Sequence, residues 1–440
     1  MSKSGASGTT STETATTTSG GGGSSSKQQS KKQPAEKEQR ERRRAETRSE
    51  LAGTRLAYWV SERKEAKKYF AEMLRRCQKA KITACELDMA KPKGQDGLPT
   101  APTTTAESAG GGGGGASFHC VVHHVSDLLA RYKEGDDRVG PQLYKFKRFL
   151  NQHPEVTVVD PLTSVRRLAN RYKTYRMIRK QLCFGPVSVP NSALIKATDD
   201  ARKRERIVHA KGLAFPLLAK PLQSHHHGMQ MVFNERGLAK LENINFPVVL
   251  QTFVPHDGVL FKIYVIGNRH WLVHRPSVRN LGPDPTKKNV DFITWDVSKP
   301  SASHEQLNVS SAELERAAAQ RRPDRRTVEE LVRRVSAATK LSLYGLDLLL
   351  EVATNRHYLI DINYFPGYEG VDRVGERLFN HLAGFLLKAK KRQKDSQQQL
   401  KQQQQPKNAE DKRQHRQKGK SEDAGGDSTA SEPTLTEATD

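Results

Sequence analysis

Regular patterning of apolar and polar positions begins at Arg55-Leu-Ala-Tyr-Trp-Val60, a short β-like run followed by Ser61 where a helix N-cap would stand. From Glu62 to Lys81 the residues Phe70, Met73, Leu74 and Cys77 recur at helical spacing, and Ile82 to Leu87 and Phe118 to Val125 read as strands. Helical stretches at Asp127 to Tyr132 and Gln142 to Gln152 lead to a fourth strand, Val156 to Val159. This β-α-β order predicts a small parallel-sheet α/β domain over residues 51–160.

The pattern then changes. A basic helix is predicted from Thr163 to Gln181, with Val165, Leu168, Tyr172, Tyr175 and Ile178 on one side. Strand-like runs follow at Phe215 to Lys220, Met229 to Phe233 and Val248 to Val254, around a short helical stretch from Arg236 to Glu242. A longer pair, Val259 to Ile266 and His270 to Val273, flanks the Gly267-Asn268 turn. After a helix near Thr327 to Lys340, two more strands, Tyr344 to Val352 and His357 to Asn363, precede a last helix from about Val374 to Ala389. Strands clustered between helices make residues 161–388 an α+β region.

Three stretches lack the large apolar residues that offset chain ordering: 1–50, the insert 92–116 and the tail 389–440. All three are predicted to be disordered. The insert carries six consecutive glycines, but no Gly-Lys-Ser/Thr follows them, so it reads as low complexity rather than a phosphate loop. These stretches explain a hydrophobic content of 35% and a mean hydropathy of -0.73 in a chain of 440 residues, against roughly 45–50% apolar residues in an average globular chain.

The net charge is +24, with 73 Lys and Arg against 49 Asp and Glu. The first 50 residues hold ten basic and six acidic groups, and the last 53 hold twelve and nine, so about +17 stays with the central region. A basic core points to phosphate-bearing partners. No apolar run approaches the ~18 residues of a membrane span, and the start of the chain is too polar for a signal peptide. A monomeric cytoplasmic protein is expected, with nuclear entry open through the basic tails. Cys77, Cys85, Cys120 and Cys183 have no paired metal-binding spacing and read as small buried hydrophobes.

The strongest local chemistry lies in Tyr344-Gly-Leu-Asp-Leu-Leu-Leu-Glu351 turning back through Thr354-Asn355-Arg356 into Tyr358-Leu-Ile-Asp-Ile-Asn-Tyr364. A turn centred near Thr354 sets Asp347 opposite Asp361, with Asn363 on the face of Asp361. Opposed carboxylates among apolar residues repel and resist desolvation, and a divalent cation such as Mg²⁺ removes that conflict. The alternative is a pair of acids on a solvated edge. Lys220 and Lys262 interrupt apolar strands, so each needs a partner or an opening to a cleft, which a nucleotide phosphate would supply. His225, His226 and His227 sit too close in one loop to aim at one ion, and suit a loop that meets an anion. Pro366-Gly367 reads as a sharp turn allowing close backbone approach. Arg166, Arg167, Arg171 and Lys173 form either a solvated face or an anion-facing one.

Five segments together resemble the inositol-tetrakisphosphate 1-kinase family, also called inositol 1,3,4-trisphosphate 5/6-kinases, of the ATP-grasp fold. They are Tyr58-Trp-Val-Ser-Glu-Arg-Lys64, His153-Pro-Glu-Val-Thr-Val-Val-Asp-Pro161, Arg275-Pro-Ser277, Gly345-Leu-Asp347 and Asp361-Ile-Asn-Tyr-Phe-Pro-Gly-Tyr-Glu-Gly370. The resemblance runs from about Leu56 to Leu387 and implies an ATP-grasp fold preceded by a Rossmann-like domain. It implies transfer of the γ-phosphoryl of ATP to a hydroxyl of an inositol tris- or tetrakisphosphate, with two Mg²⁺ on Asp347, Asp361 and Asn363. By the same resemblance Arg171, Lys220, Gln251, Lys262, Ser277, Thr294 and Ser298 would bind ATP. Lys64, His124, His227, Lys262, Arg275, Asn363 and Gly367 would hold the inositol phosphate, and Lys262 and His227 would serve the chemistry.

Departures from the family pattern carry expectations of their own. His124 stands where a substrate-binding lysine is expected, so a partly charged imidazole replaces a full cation. Thr294 replaces a serine, and the loop from Lys220 to His227 is short. Two rivals share part of the pattern. An ATP-grasp carboxylate–amine ligase would use the same nucleotide and metal groups, whereas a nucleic-acid-binding protein would leave Asp347 and Asp361 without a reason and lacks a stacking-aromatic motif.

Overall fold

Short strands joined through helices generate the first sheet of the computed structural model, which describes residues 39, 42, 45–89, 118–223, 227–299, 304 and 306–418. Strands β1 (Arg55–Trp59), β2 (Thr83–Glu86), β3 (Cys120–His123) and β4 (Thr157–Val159) are all parallel, in the order β2-β1-β3-β4. The central strands β1 and β3 are buried because helices return between them, whereas the edge strands β2 and β4 are only partly covered. The predicted helix from Glu62 to Lys81 is divided into Glu62–Glu65 and Lys68–Lys79, and Phe70, Met73 and Cys77 of the second face the core. The insert 92–116 lies outside the described residues, as do 419–440 and, apart from residues 39 and 42, the first 44.

The basic helix predicted from Thr163 to Gln181 is broken as well. It becomes Leu162–Leu168, Arg171–Met177 and a π-helical turn Ile178–Leu182. Asn170 causes the break, since its side chain accepts from Lys173 N at 2.9 Å and starts a new helix.

Two antiparallel-rich sheets follow. Strands β5 (Val187–Ser188), β6 (Ser192–Ile195), β7 (Leu217–Pro221), β8 (Gly228–Val232) and β9 (Val248–Thr252) precede β10 (Val259–Ile266), β11 (Arg269–Pro276) and β12 (Val290–Ile293). The last pair is β13 (Leu343–Leu350) and β14 (His357–Tyr364). One sheet runs β11-β10-β13-β14-β5 and the other β12-β8-β7-β9-β6. The expected α/β then α+β succession is what the chain adopts. Strands β5, β6 and β12 and the helices Ala201–Ala210 and Ser311–Gln320 go beyond the predicted elements. They are short or strongly polar, so their periodicity carries little signal.

One apolar cluster joins Leu56, Val121 and Phe146 of the first sheet and its helices to Ile263, Leu346 and Leu359 of the second. The third sheet has its own clusters, Leu217, Val232 and Val248 in one and Met231, Phe253 and Phe292 in another. Polar contacts cross from β4 to β13: buried Asp160 accepts Ser342 N and Leu343 N, each at 2.8 Å, and Ser342 Oγ donates to it at 2.6 Å.

The chain divides into two units, Met1–Leu387 and Lys388–Asp440. The tail was expected to be disordered from residue 389, but the helix Val374–Lys418 continues well past that point. The shortage of core residues predicts disorder only where nothing else favours a regular backbone. Residues 385–418 contain no glycine and are rich in Lys, Gln and Arg, which favour helix without burial. All four cysteines are free thiols, and Cys77 and Cys120 are buried as expected.

Candidate functional site

Three adjacent strands place Lys262, Asp347 and Asp361 in one row. Lys262 of β10 is the register partner of Asp347 on β13, and Asp347 is the partner of Asp361 on β14. Gly345 pairs with Asn363, so the amide lies two residues along the same face. The turn at the far end of the hairpin is tied by Glu351 N to Arg356 O at 3.0 Å, and Asn355 adopts a φ of 53°. An irregularity after Asp347 shifts the register, so that Leu348 faces Leu359. Without that bulge the register on the turn side would set Asp347 opposite Ile360 rather than Asp361.

The acids do not face each other bare. Lys262 Nζ lies 3.0 Å from Asp347 Oδ1, and Arg171 Nη1 lies 3.1 Å from Asp361 Oδ2. Asn363 Nδ2 is 3.5 Å from Asp347 Oδ2. Arg171 is almost fully enclosed, 5% exposed, whereas the acids are 14% and 19% exposed and so open toward solvent. Burial opposes the charge of Lys262, but the Asp347 carboxylate outweighs it and holds the ammonium above its ordinary pKa. Two carboxylates and an amide oxygen are a hard donor set suited to Mg²⁺. The resident cations show how strongly this spot demands positive charge.

Lys220 on β7 extends the cluster. Its ammonium donates to Gln251 Oε1 at 2.7 Å and reaches Tyr175 Oη at 3.4 Å. Burial, with Arg171 nearby, brings it down to about 8, partly countered by Asp361 and Asp347. Arg171, Lys220, Gln251, Lys262, Asp347, Asp361 and Asn363 therefore belong to one connected polar site.

A second group forms where the first sheet meets the end of β14. Lys64 Nζ donates to the Phe365 carbonyl and, at 3.0 Å, to that of Pro366. Burial pushes it down to about 7. His124 stacks on Tyr364 with ring centroids 6.1 Å apart, and burial, then the Lys64 charge, holds its imidazole well below the ordinary range. The histidine is therefore neutral at pH 7, whereas a partly charged one was expected. A Cβ on Gly367 would fall 1.9 Å from Glu369 Oε1, so the glycine's close approach is to a carboxylate of its own turn. Glu369 also lies 3.7 Å from Lys67 Nζ and 3.4 Å from Tyr264 Oη. Arg275, buried on β11, lies beside Gly370.

His227, Thr294 and Ser298 gather at a third place, where β8 begins beside β12. Thr294 N donates to His227 O at 3.0 Å, Thr294 Oγ1 is 3.3 Å from His227 Nδ1, and Ser298 Oγ donates to Thr294 O at 2.7 Å. His225 and His226 lie outside the described residues. Ser277 follows β11, where its N donates to Gly258 O at 2.8 Å and its Oγ meets His256 Nε2 at 2.8 Å.

Sequence reasoning missed His256, Tyr364 and Glu369. Tyr364 Oη lies 2.8 Å from His123 O and accepts from Asp160 N at 3.1 Å, which fixes β14 to the first sheet directly after Asn363. An aromatic next to a ligand residue looks like core in a sequence, and only the third dimension reveals its hydroxyl contacts.

Residues 184–384 match the family model of the inositol 1,3,4-trisphosphate 5/6-kinase ATP-grasp domain. The chain is similar to inositol-tetrakisphosphate 1-kinase of Danio rerio, 29% identical over 350 residues, covering 76% of this chain and 79% of that protein. It is also similar to inositol-tetrakisphosphate 1-kinase 3 of Glycine max, 36% identical over 231 residues, covering 49% and 60%. Among solved structures, D-cycloserine synthetase DcsG is similar with a TM-score of 0.46 and 15% identity, covering 76% of this chain and 99% of that one.

Proposed function

We propose that the chain, which is similar to inositol-tetrakisphosphate 1-kinases and matches the inositol 1,3,4-trisphosphate 5/6-kinase ATP-grasp domain over residues 184–384, transfers the γ-phosphoryl of ATP to a ring hydroxyl of an inositol tris- or tetrakisphosphate. The observation that carries this reading is the row Lys262–Asp347–Asp361 across three strands, with Arg171 closing its far end. Such a row matches a reaction whose catalysis is mostly positioning and charge neutralisation.

Mg²⁺ held by Asp347, Asp361 and Asn363, two ions in this reading, would offset charge on the ATP phosphates. Lys220, oriented by Gln251, donates to phosphate oxygens, and Arg171 is drawn toward the same anion. Lys262 keeps its proton beside Asp347, so it serves as a fixed cation at the transferred group rather than as a base. By the family resemblance His227, held beside Thr294, is the second group assigned to the chemistry at the acceptor hydroxyl. Ser277, Thr294 and Ser298 complete the nucleotide contacts. Lys64, His124, Arg275, Asn363 and the backbone at Gly367 hold the inositol phosphate, with the parallel-sheet part of the chain forming one wall. The enzyme works as a monomer in this reading. Among the described residues no helix is long and apolar enough to cross a membrane.

The reading is tested by incubating the full chain with ATP, Mg²⁺ and a panel of inositol phosphate isomers, with products resolved by ring position. A product gaining one phosphate at one position is expected, and no phosphorylation of any isomer would overturn it.

A further inference from the structure

His256 is buried, 4% exposed, on the turn between β9 and β10, and both its ring nitrogens are committed. Nδ1 lies 2.6 Å from Val254 O, and a carbonyl can only accept, so Nδ1 carries a proton. Burial pushes the imidazole down to about 4, so the ring is neutral and Nε2 is a lone pair. The hydrogen bond at 2.8 Å to Ser277 must then run from the serine hydroxyl to Nε2.

The turn is rigid. Asn280 Oδ1 accepts from His256 N at 2.8 Å and Asp257 N at 2.9 Å, Asn280 Nδ2 donates to Asp257 at 2.6 Å, and Arg321 pairs with Asp257. Gly258 has a φ of +66°, and a Cβ there would fall 2.6 Å from Val309. Its carbonyl accepts Ser277 N, so the serine is held at backbone and side chain alike. Ser277 itself is half-buried and so reachable by a ligand.

A hydroxyl has one proton and two lone pairs. With its proton given to His256, Ser277 offers a ligand acceptor capacity only. Phosphate oxygens at pH 7 are acceptors too and cannot be its partner. We infer that His256 is a positioning residue that makes Ser277 an acceptor-only contact, selecting a hydrogen-bond donor on the nucleoside part of ATP, either a ribose hydroxyl or the 6-amino group. This rests on the proposed nucleotide site and adds to it which part of the nucleotide Ser277 reads.

The test is calorimetric binding of ATP, 2′-deoxy-ATP, 3′-deoxy-ATP and the triphosphate of purine riboside to the full chain without acceptor. One analogue should bind about tenfold more weakly than ATP, the size of one net hydrogen bond. Ser277→Ala and His256→Phe should each bring that ratio to within about twofold, and the double variant should add nothing to Ser277→Ala. A merely structural role for His256 would lower the thermal transition and weaken all four nucleotides equally, leaving the ratio unchanged. That result, or equal binding of all analogues by the wild type, overturns the inference; should His256→Phe fold poorly, His256→Gln, which keeps an acceptor facing Ser277, should retain the ratio, and its loss there would count against the inference equally. If the binding pattern holds but no inositol phosphate is phosphorylated, the kinase reading falls and this inference stands. Absence of any ATP binding sinks both.

Discussion

Asp347 and Asp361 stand directly opposite each other on β13 and β14, and each carboxylate is met by a different cation, Lys262 at 3.0 Å and Arg171 at 3.1 Å. The pairs are separate in sequence and come from different elements. The site is thus a four-charge row, in which each carboxylate proposed to hold Mg²⁺ also has a cation of its own beside it.

Asp347→Asn keeps the shape of the side chain and removes its charge. The variant should lose about 10²-fold or more in kcat, because charge neutralisation at the phosphates is the main catalytic contribution. Steady-state ADP release with saturating ATP, Mg²⁺ and inositol phosphate measures it. Chelating the metal from the wild type should produce a loss at least as large.

Asp361→Ala has a structural consequence as well as a catalytic one. It takes from Arg171, 5% exposed, the carboxylate it pairs with, and breaking a buried ion pair costs about 3 kcal/mol. Urea unfolding should therefore show a lower midpoint for Asp361→Ala than for Asp347→Ala, whose partner Lys262 is 23% exposed. Adding Arg171→Met to Asp361→Ala should recover part of the loss. Equal midpoints for the two single variants would count against the pairing.

Lys64 gives stability and binding a definite pH dependence. Its value in the folded protein is about 7, against 10.5 ordinarily. Between those values the unfolded chain binds the extra proton, so stability rises with pH from about 7 toward 10 and is reduced below it. The slope from this group is at most about 1.4 kcal/mol per pH unit, and Lys64→Met should flatten it. A phosphate at Lys64 favours the ammonium, so substrate binding at pH 8 should take up a proton. Calorimetry in buffers of different ionisation enthalpy detects this, and Lys64→Met should abolish it.

His124→Lys tests the departure from the family pattern. The neutral imidazole stacked on Tyr364 offers no charge to a phosphate, whereas lysine would. The variant should favour the more highly phosphorylated acceptors and show a steeper fall of affinity with salt. Competition between tris- and tetrakisphosphates at two ionic strengths reads both effects. Unchanged preference would show that His124 does not face the substrate.

The Asp347–Asp361 pairing was legible because one hairpin carries both acids and its period-2 faces can be counted back from the turn. What the count could not supply was the bulge after Asp347, which depends on cross-strand packing rather than on any residue type. Lys220 and Lys262 were legible because a charge inside an apolar strand demands an explanation. Arg171 was singled out from its helix only through family resemblance, since the residues themselves leave that basic face either solvated or turned to an anion. His256 left no trace, because a histidine in a Pro-His-Asp-Gly turn looks like an ordinary loop residue until Ser277 is folded against it. The helix through Lys418 is not legible from the apolar pattern for a different reason: backbone propensity carries it where that pattern offers no core residues.

The most direct measurement follows the γ-phosphorus of labelled ATP through one turnover with Mg²⁺ and the inositol phosphate accepted in the isomer panel. The account predicts that the label appears as a phosphate ester on the inositol product, in equal amount to ADP, and that Asp347→Asn removes both signals together. Label recovered as free phosphate, with none on the inositol ring, would contradict it and point instead to ligase-type chemistry at the same nucleotide site.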